Sequence, residues 1–238
     1  MTSPVARMFG RIAGVYDFLN HALSLGIDKA WRRELAALTA TASNPALPLL
    51  DLAAGTLDVA ITLAKAHPGA TIMAMDFCQP MLLRGIRKLT RLNDRQILTA
   101  CADARQLPLP DASVSCVTMA FGIRNIQPRV TAFREIARVL APGGRVCILE
   151  FGSASERIWG GMYNWYLMNV LPLIGRTVAR DNEAYAYLAR TIREFPAATQ
   201  LAKEMEDGGL VNVGYHKLTG GIVCLHWAEK EWTNIGKR

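Results

Sequence analysis

Two aspartates close successive apolar runs in this chain: Asp51 ends LPLLD, and Asp76 ends TIMAMD about 25 residues on. At that spacing an acidic strand tip receives ribose hydroxyls, because one carboxylate accepts from two adjacent O–H groups. Between them runs DLAAGTLD, in which Gly55 and Thr56 follow the first strand candidate. Asp103-Ala104 follows a third apolar run, and Phe121-Gly122-Ile123-Arg124-Asn125 leaves a fourth. Ligands of an open α/β sheet bind beyond the carboxyl ends of the strands, so these positions converge on one site.

A dinucleotide lays its pyrophosphate on backbone N–H groups at a helix start, and that takes several glycines. Only Gly55 stands in this loop; Ala53, Ala54 and Leu57 occupy places where such a loop needs flexibility. S-adenosyl-L-methionine carries no phosphate, and its ribose, adenine and zwitterionic methionyl end suit these residues better. Asp76 and Asp103 serve the nucleoside, and Gly55 supplies a special backbone angle. Thr56 gives a hydroxyl and an N–H to the methionyl carboxylate, and Asp51 meets the ammonium through water. Singly, each is as ordinary as a turn aspartate. In order along one sheet they read as a nucleoside site.

The elements that must hold these residues alternate from about residue 48 to 151. LPLLDLA is a buried strand, and a helix through VAITLAKAH ends at Pro68-Gly69. TIMAMD is the next strand and QPMLLRGIRKLTRL the next helix; QILTAC, SVSCVTMAF and GGRVCILEF supply three more strands. The helix PRVTAFREIARVL precedes the last of these and is expected to stop at Pro142-Gly143-Gly144. This alternation means βαβ crossovers and a mostly parallel sheet with helices on both faces. Continuous apolar strands such as Val114 to Ala120 agree with burial on both sides. A single domain spanning 1–238 is expected, with a helical N-terminal lid (1–45), a cofactor-binding core (46–151) and a helical insertion (156–207). VNVGYHKL, a turn at Thr219-Gly220-Gly221 and IVCLHWA then form a hairpin over 208–228.

Composition narrows the partners. The chain has 238 residues, of which 51% are hydrophobic and 20% charged, as in a packed globular protein. The net charge of +7 admits an anionic partner, but the basic residues are scattered, and nucleic acid is the least supported one. RGIRK (Arg84 to Lys88) and WRR (Trp31 to Arg33) read as solvated helix faces. Five cysteines without C-x-x-C spacing are expected as buried thiols, and the four histidines lack ligand spacing, so no metal is expected. The N-terminus lacks the continuous apolar core of a signal peptide, and IWGGMYNWYLMNVLPLIG is too interrupted for a membrane span. The expected location is cytoplasmic.

The chain resembles the class I S-adenosylmethionine-dependent C-methyltransferases of quinone biosynthesis, the demethylmenaquinone and ubiquinone methyltransferases. The resemblance rests on MFGRIAGVYDFLNHALSLGIDKAWRR, LLDLAAGTLDVA, ADARQLPLPDASVSCVTMAFGIRNI, RVLAPGGRVCILEF, LPLIGR, YAYLARTIREFP and HKLTGGIVCLHWA, which follow one another over nearly the whole chain. YD-x-x-N-x-x-x-S-x-G and FGIRN are its most specific parts. It implies a Rossmann-like seven-stranded sheet ending in an antiparallel hairpin, and cofactor contacts at Thr56, Asp76, Asp103 and Ala104. Two positions depart from the family pattern. Leu57 in AGTLD replaces a glycine; it is expected at the start of the next helix with acceptable backbone angles and a side chain that crowds the methionyl group. Ala120 stands where serine is usual before FG-x-RN, which removes a hydroxyl worth about 0.5–1.5 kcal/mol if it is bonded.

The substrate that the resemblance implies is a prenylated hydroquinone methylated at a ring carbon. Such a carbon becomes nucleophilic when an adjacent hydroxyl loses its proton. Arg124 is then the candidate for phenolate stabilisation and Asn125 for orienting a ring oxygen. Tyr16 and Asp17 close over the site, with Asp17 or a water as proton acceptor. Met162, Trp165, Tyr166, Met168 and Leu171, with Arg157, Arg176 and Arg180, read either as a buried helix face or as a prenyl groove in peripheral contact with the inner membrane face. Two rivals stay open: a class I methyltransferase for another small molecule, and a silent cofactor-binding partner protein. The oligomeric state is not legible.

Overall fold

The computed structural model describes residues 4–13, 21, 24, 26–39, 44–92, 95–152 and 182–232. Strands β1 (Leu49–Leu52), β2 (Ile72–Asp76), β3 (Ile97–Cys101), β4 (Val114–Ala120), β5 (Leu140–Phe151), β6 (Val211–Leu218) and β7 (Val223–Glu229) form one seven-stranded sheet in the order β3-β2-β1-β4-β5-β7-β6. β1 to β5 pair in parallel, while β7 lies antiparallel between β5 and β6. The chain therefore reverses its strand order between β1 and β4, where ligands of open α/β sheets bind.

Side chains alternate across this sheet with the period of two that a strand imposes. Leu49, Ile72, Ala74, Cys116, Cys147 and Leu149 face one core, packed under α2 (Asp28–Leu38), α3 (Asp58–Ala66) and α4 (Gln79–Leu92). Leu50, Leu52, Met75, Val117, Met119, Val146 and Ile148 face the other, packed under α5 (Arg129–Val139) and α7 (Ala198–Asp207). α5 buries Ala132, Phe133, Ile136 and Val139, an i, i+1, i+4, i+7 stripe. α1 (Pro4–Ile12) lies against α4, and α6 (Asn182–Arg193) adds Ile192 to the first core.

Several local expectations need correction. The helix before β5 ends at Val139, short of Pro142-Gly143-Gly144, and the strand already begins at Leu140. Val114 pairs with Leu140 and Cys116 with Arg145, so the Pro-Gly-Gly run is looped out as a bulge, with Gly143 at φ +71°. WRR is not a solvated face: Trp31 is buried and donates to Thr219 Oγ1 at 2.8 Å, and buried Arg32 pairs with Asp28 and Asp58. Only Arg33 of the three is exposed. In RGIRK, Lys88 binds Asp58 at 2.7 Å. Four of the five cysteines are buried, and Cys101 on the edge strand is exposed. The Met162–Leu171 cluster lies outside the described residues, which include no helix long and apolar enough to cross a membrane.

Candidate active site

A cleft of about 300 Å³ opens where β1, β2 and β4 end. Gly55, Asp76, Asp103, Ala104 and Asn125 border it together, as their places at strand tips lead one to expect. Phe9, Phe77, Met81 and Phe121 add an apolar lining.

Among the described residues, Asp76 is held by backbone donors alone. The Gly55 N–H donates to Oδ2 at 2.8 Å and the Cys78 N–H to Oδ1 at 2.6 Å, so the loops after β1 and β2 both close on it. Burial pushes its pKa up, and the two N–H donors offset part of that rise. Each oxygen keeps a lone pair for a ribose hydroxyl. Asp103 is engaged differently. Arg105 binds it through Nε and Nη2 and holds its carboxyl below the usual range, while Nη1 reaches the Gln127 carbonyl at 2.8 Å.

The loop after β1 is unusual in its backbone. Ala53 and Leu57, both non-glycine, have φ of +53° and +70°, and Gly55 has +53°. Phe121, after β4, has φ +55°. Left-handed non-glycine residues cost about 1–3 kcal/mol each and persist where packing fixes them. Leu57 therefore departs from both expectations. It is the left-handed N-cap of α3, and its side chain is fully buried in the core, away from the cleft. Gly85 of α4 makes the room: a β-carbon there would stand 2.8 Å from Leu57 Cδ1 and 3.0 Å from the Thr56 carbonyl carbon. Ala120 packs against the first core cluster and is not among the residues that border the cleft.

Three predicted site residues lie behind the cleft wall. Thr56 is buried and does not border it. Asp51 is also buried; the Thr118 hydroxyl donates to Oδ1 at 3.0 Å, and the backbone N–H of Ala60 supports the carboxyl from the start of α3. Burial, with the charges of Asp76 and Asp58, pushes Asp51 up to about 7. A buried carboxyl held protonated by burial at the end of β1 gains its charge most readily when a cationic group binds nearby.

Arg124 needs the largest correction. It sits in the 3-10 turn Ile123–Asn125 with its side chain buried, and it does not border the cleft. Nη1 donates to Glu150 Oε1 at 2.7 Å and to the Phe121 carbonyl, and the guanidinium lies 5.4 Å from the Phe151 ring centroid. Its charge is met by Glu150, and its contacts run to the turn and to β5. Asn125, one residue on, does reach the cleft, and the Tyr187 hydroxyl donates to its Oδ1 at 2.9 Å. Tyr16 and Asp17 lie outside the described residues.

Phe9, Glu150 and Tyr187 were not singled out in the sequence. Phe9 comes from α1, whose neighbour Ala13 packs with Cys78 and Met81, so the N-terminal helix forms part of the cleft wall. The weak signal for Tyr187 was its place in YAYLARTIREFP.

These residues, an acidic strand tip clamped by two backbone donors, an apolar lining and a buried carboxyl at the end of β1, fit S-adenosylmethionine. Comparison with known proteins agrees. The demethylmenaquinone methyltransferase of Mycobacterium sp. strain JLS is 42% identical over 226 residues, covering 95% of this chain and 94% of that protein. The ubiquinone/menaquinone biosynthesis C-methyltransferase UbiE of Syntrophotalea carbinolica is 41% identical over 219 residues, covering 92% and 91%. A crystal structure of a SAM-dependent methyltransferase from Aquifex aeolicus superimposes with a TM-score of 0.59 at 18% identity, covering 82% of this chain and 87% of that one, and shares the fold. Residues 2–230 match the ubiE/COQ5 methyltransferase family, and the chain belongs to it.

Proposed function

We propose that this protein methylates a ring carbon of a prenylated hydroquinone, with demethylmenaquinol as the acceptor and menaquinol as the product. The observation that carries this reading is the convergence of Gly55, Asp76, Asp103 and Asn125 on one cleft in a chain of this family. When bound, S-adenosylmethionine supplies an electrophilic methyl carbon. Asp76 takes the ribose hydroxyls, Ala104 and Phe77 flank the base, and Asp51 answers the ammonium through water. Asn125 holds a ring oxygen in the orientation that brings the nucleophilic carbon forward. Arg124 acts at one remove, keeping the Phe121–Asn125 turn in place through Glu150. Asp17 or a water accepts the ring proton after transfer.

The acceptor enters from the bilayer in this reading, with the protein peripheral to it. α1 and α4 pack together and contain Arg7, Arg11, Arg84, Arg87, Lys88 and Arg91 but no Asp or Glu. Leu83 and Ile86 of α4 are exposed beside them, at 51% and 37%. Apolar side chains among cations suit an anionic lipid surface.

The test is anaerobic transfer of labelled methyl to reduced demethylnaphthoquinol and demethylbenzoquinol analogues, with Asn125→Ala as control. Label in the naphthoquinol ring is expected. Transfer to neither ring type overturns the reading, and transfer to the benzoquinol alone moves the acceptor to the other quinol class.

A further inference from the structure

We infer that Tyr187 is a positioning residue for methyl transfer, setting the orientation of the Asn125 amide; the inference rests on the function proposed above. The backbone of Asn125 is fixed independently of Tyr187. Its N–H donates to the Gly122 carbonyl at 3.0 Å, and the residue before it is anchored by the buried Arg124–Glu150 pair. What the fold leaves open is the amide itself, whose terminal torsion is broad and close to two-fold. One orientation offers the cleft two N–H donors; the other offers a carbonyl oxygen. A ring oxygen gaining negative charge is stabilised by the first and repelled by the second.

Tyr187 engages the first. Its hydroxyl donates to Asn125 Oδ1 at 2.9 Å, which engages the carbonyl and leaves the Nδ2 donors for the cleft that Asn125 lines. The phenol is itself held in place. The Phe9 ring meets it edge-on at 6.5 Å, and the Arg190 guanidinium lies 5.6 Å from its ring centroid. Burial pushes its pKa up, so it keeps its proton and remains a donor. Phe9 also lines the cleft, so the same contact ties the orienting phenol to the N-terminal wall.

The experiment is a double-mutant cycle on the full chain with Tyr187→Phe, Asn125→Ala and the pair, reading kcat and KM for a reduced demethylnaphthoquinol analogue and S-adenosylhomocysteine affinity by calorimetry. Tyr187→Phe is expected to lower kcat about 10- to 100-fold, the scale on which a misplaced group is felt, with product-nucleoside affinity unchanged. Added to Asn125→Ala, it is expected to cost nothing more. A Tyr187→Phe enzyme with wild-type kcat overturns the inference. Losses that multiply in the pair, or a loss traced to weaker nucleoside binding, overturn it too. A wild type that methylates no hydroquinone overturns the functional reading, and this inference with it.

Discussion

Leu57 and Gly85 share one space. The leucine occupies a left-handed N-cap at φ +70°, and its side chain fills the volume that a β-carbon on Gly85 would need. A glycine at position 57 would meet the backbone demand without strain, so leucine here trades backbone ease for buried apolar surface. The glycine on α4 makes that trade feasible. Gly85→Ala is expected to destabilise the protein by about 1–3 kcal/mol, the usual range for overpacking a core, and to weaken S-adenosylhomocysteine binding by shifting the Gly55 loop. Leu57→Ala in the Gly85→Ala background should recover part of both losses. Denaturant unfolding and calorimetry on the four proteins measure this; equal stability of Gly85→Ala and wild type would remove the coupling.

Asp51 ties stability to pH. Its carboxyl is raised from 3.8 to about 7 by burial, so the unfolded chain releases this proton at a lower pH than the folded chain does. Between those values the unfolded state binds fewer protons, and this contribution to stability falls as pH rises. It is fully present below about pH 4 and gone above about pH 7. The span corresponds to about 4 kcal/mol at most, at 1.36 kcal/mol per unit. Asp51→Asn is expected to flatten the stability profile across that window. A cation bound above Asp51 favours its ionised form, so binding S-adenosylmethionine near pH 6.5 should release a proton from wild type and none from Asp51→Asn. Calorimetry in buffers of different ionisation enthalpy reads that number directly, and equal proton release by the two would separate Asp51 from the cofactor.

Local pattern carried most of the fold. β4 and the Val146–Leu149 half of β5 are buried, largely apolar runs, and the aspartates after strands are local features, so the places of Asp76 and Asp103 beside the cleft were legible from position alone. What escaped was set by distant partners. Arg124 reads as a free cation until β5 brings Glu150, 26 residues on, against it. Tyr187 reads as one aromatic of an amphipathic helix until α6 docks it on Asn125, 62 residues away. Leu57 was expected to start a helix with ordinary angles, because the packing that holds it left-handed comes from Gly85 on another helix. Register and docking, unlike periodicity, are not written in neighbouring residues.

The Arg124–Glu150 pair separates structure from chemistry. Both side chains are buried, at 3% and 0% exposure, so removing either partner leaves an uncompensated charge in the core. Arg124→Ala is expected to cost about 3–5 kcal/mol of stability and to lose activity with it. Replacing both members by leucine should restore much of the stability, since a buried ion pair is often matched by apolar packing. Urea unfolding of the single and double variants checks this. A stable, inactive Arg124→Ala protein would return the guanidinium to the reaction itself.

The cation-rich surface of α1 and α4 makes a prediction that the prenylated acceptor sharpens. Arg84, Arg87 and Arg91 recur at three- to four-residue spacing on α4 beside exposed Leu83, with no carboxylate on that helix. Near an anionic bilayer each basic residue contributes about 1 kcal/mol, and the attraction fades within a Debye length of about 8 Å at physiological salt. The protein is therefore expected to float with vesicles rich in anionic lipid at low salt and to dissociate as salt rises. Replacing the three arginines by glutamine should weaken that partition by about 3 kcal/mol while leaving S-adenosylhomocysteine binding intact, because none of them borders the cleft. The consequence for turnover is specific. A water-soluble short-chain acceptor should be methylated equally well by both proteins, whereas a long-chain acceptor embedded in vesicles should be methylated more slowly by the variant. Equal rates on the embedded acceptor would mean that this face takes no part in reaching the bilayer.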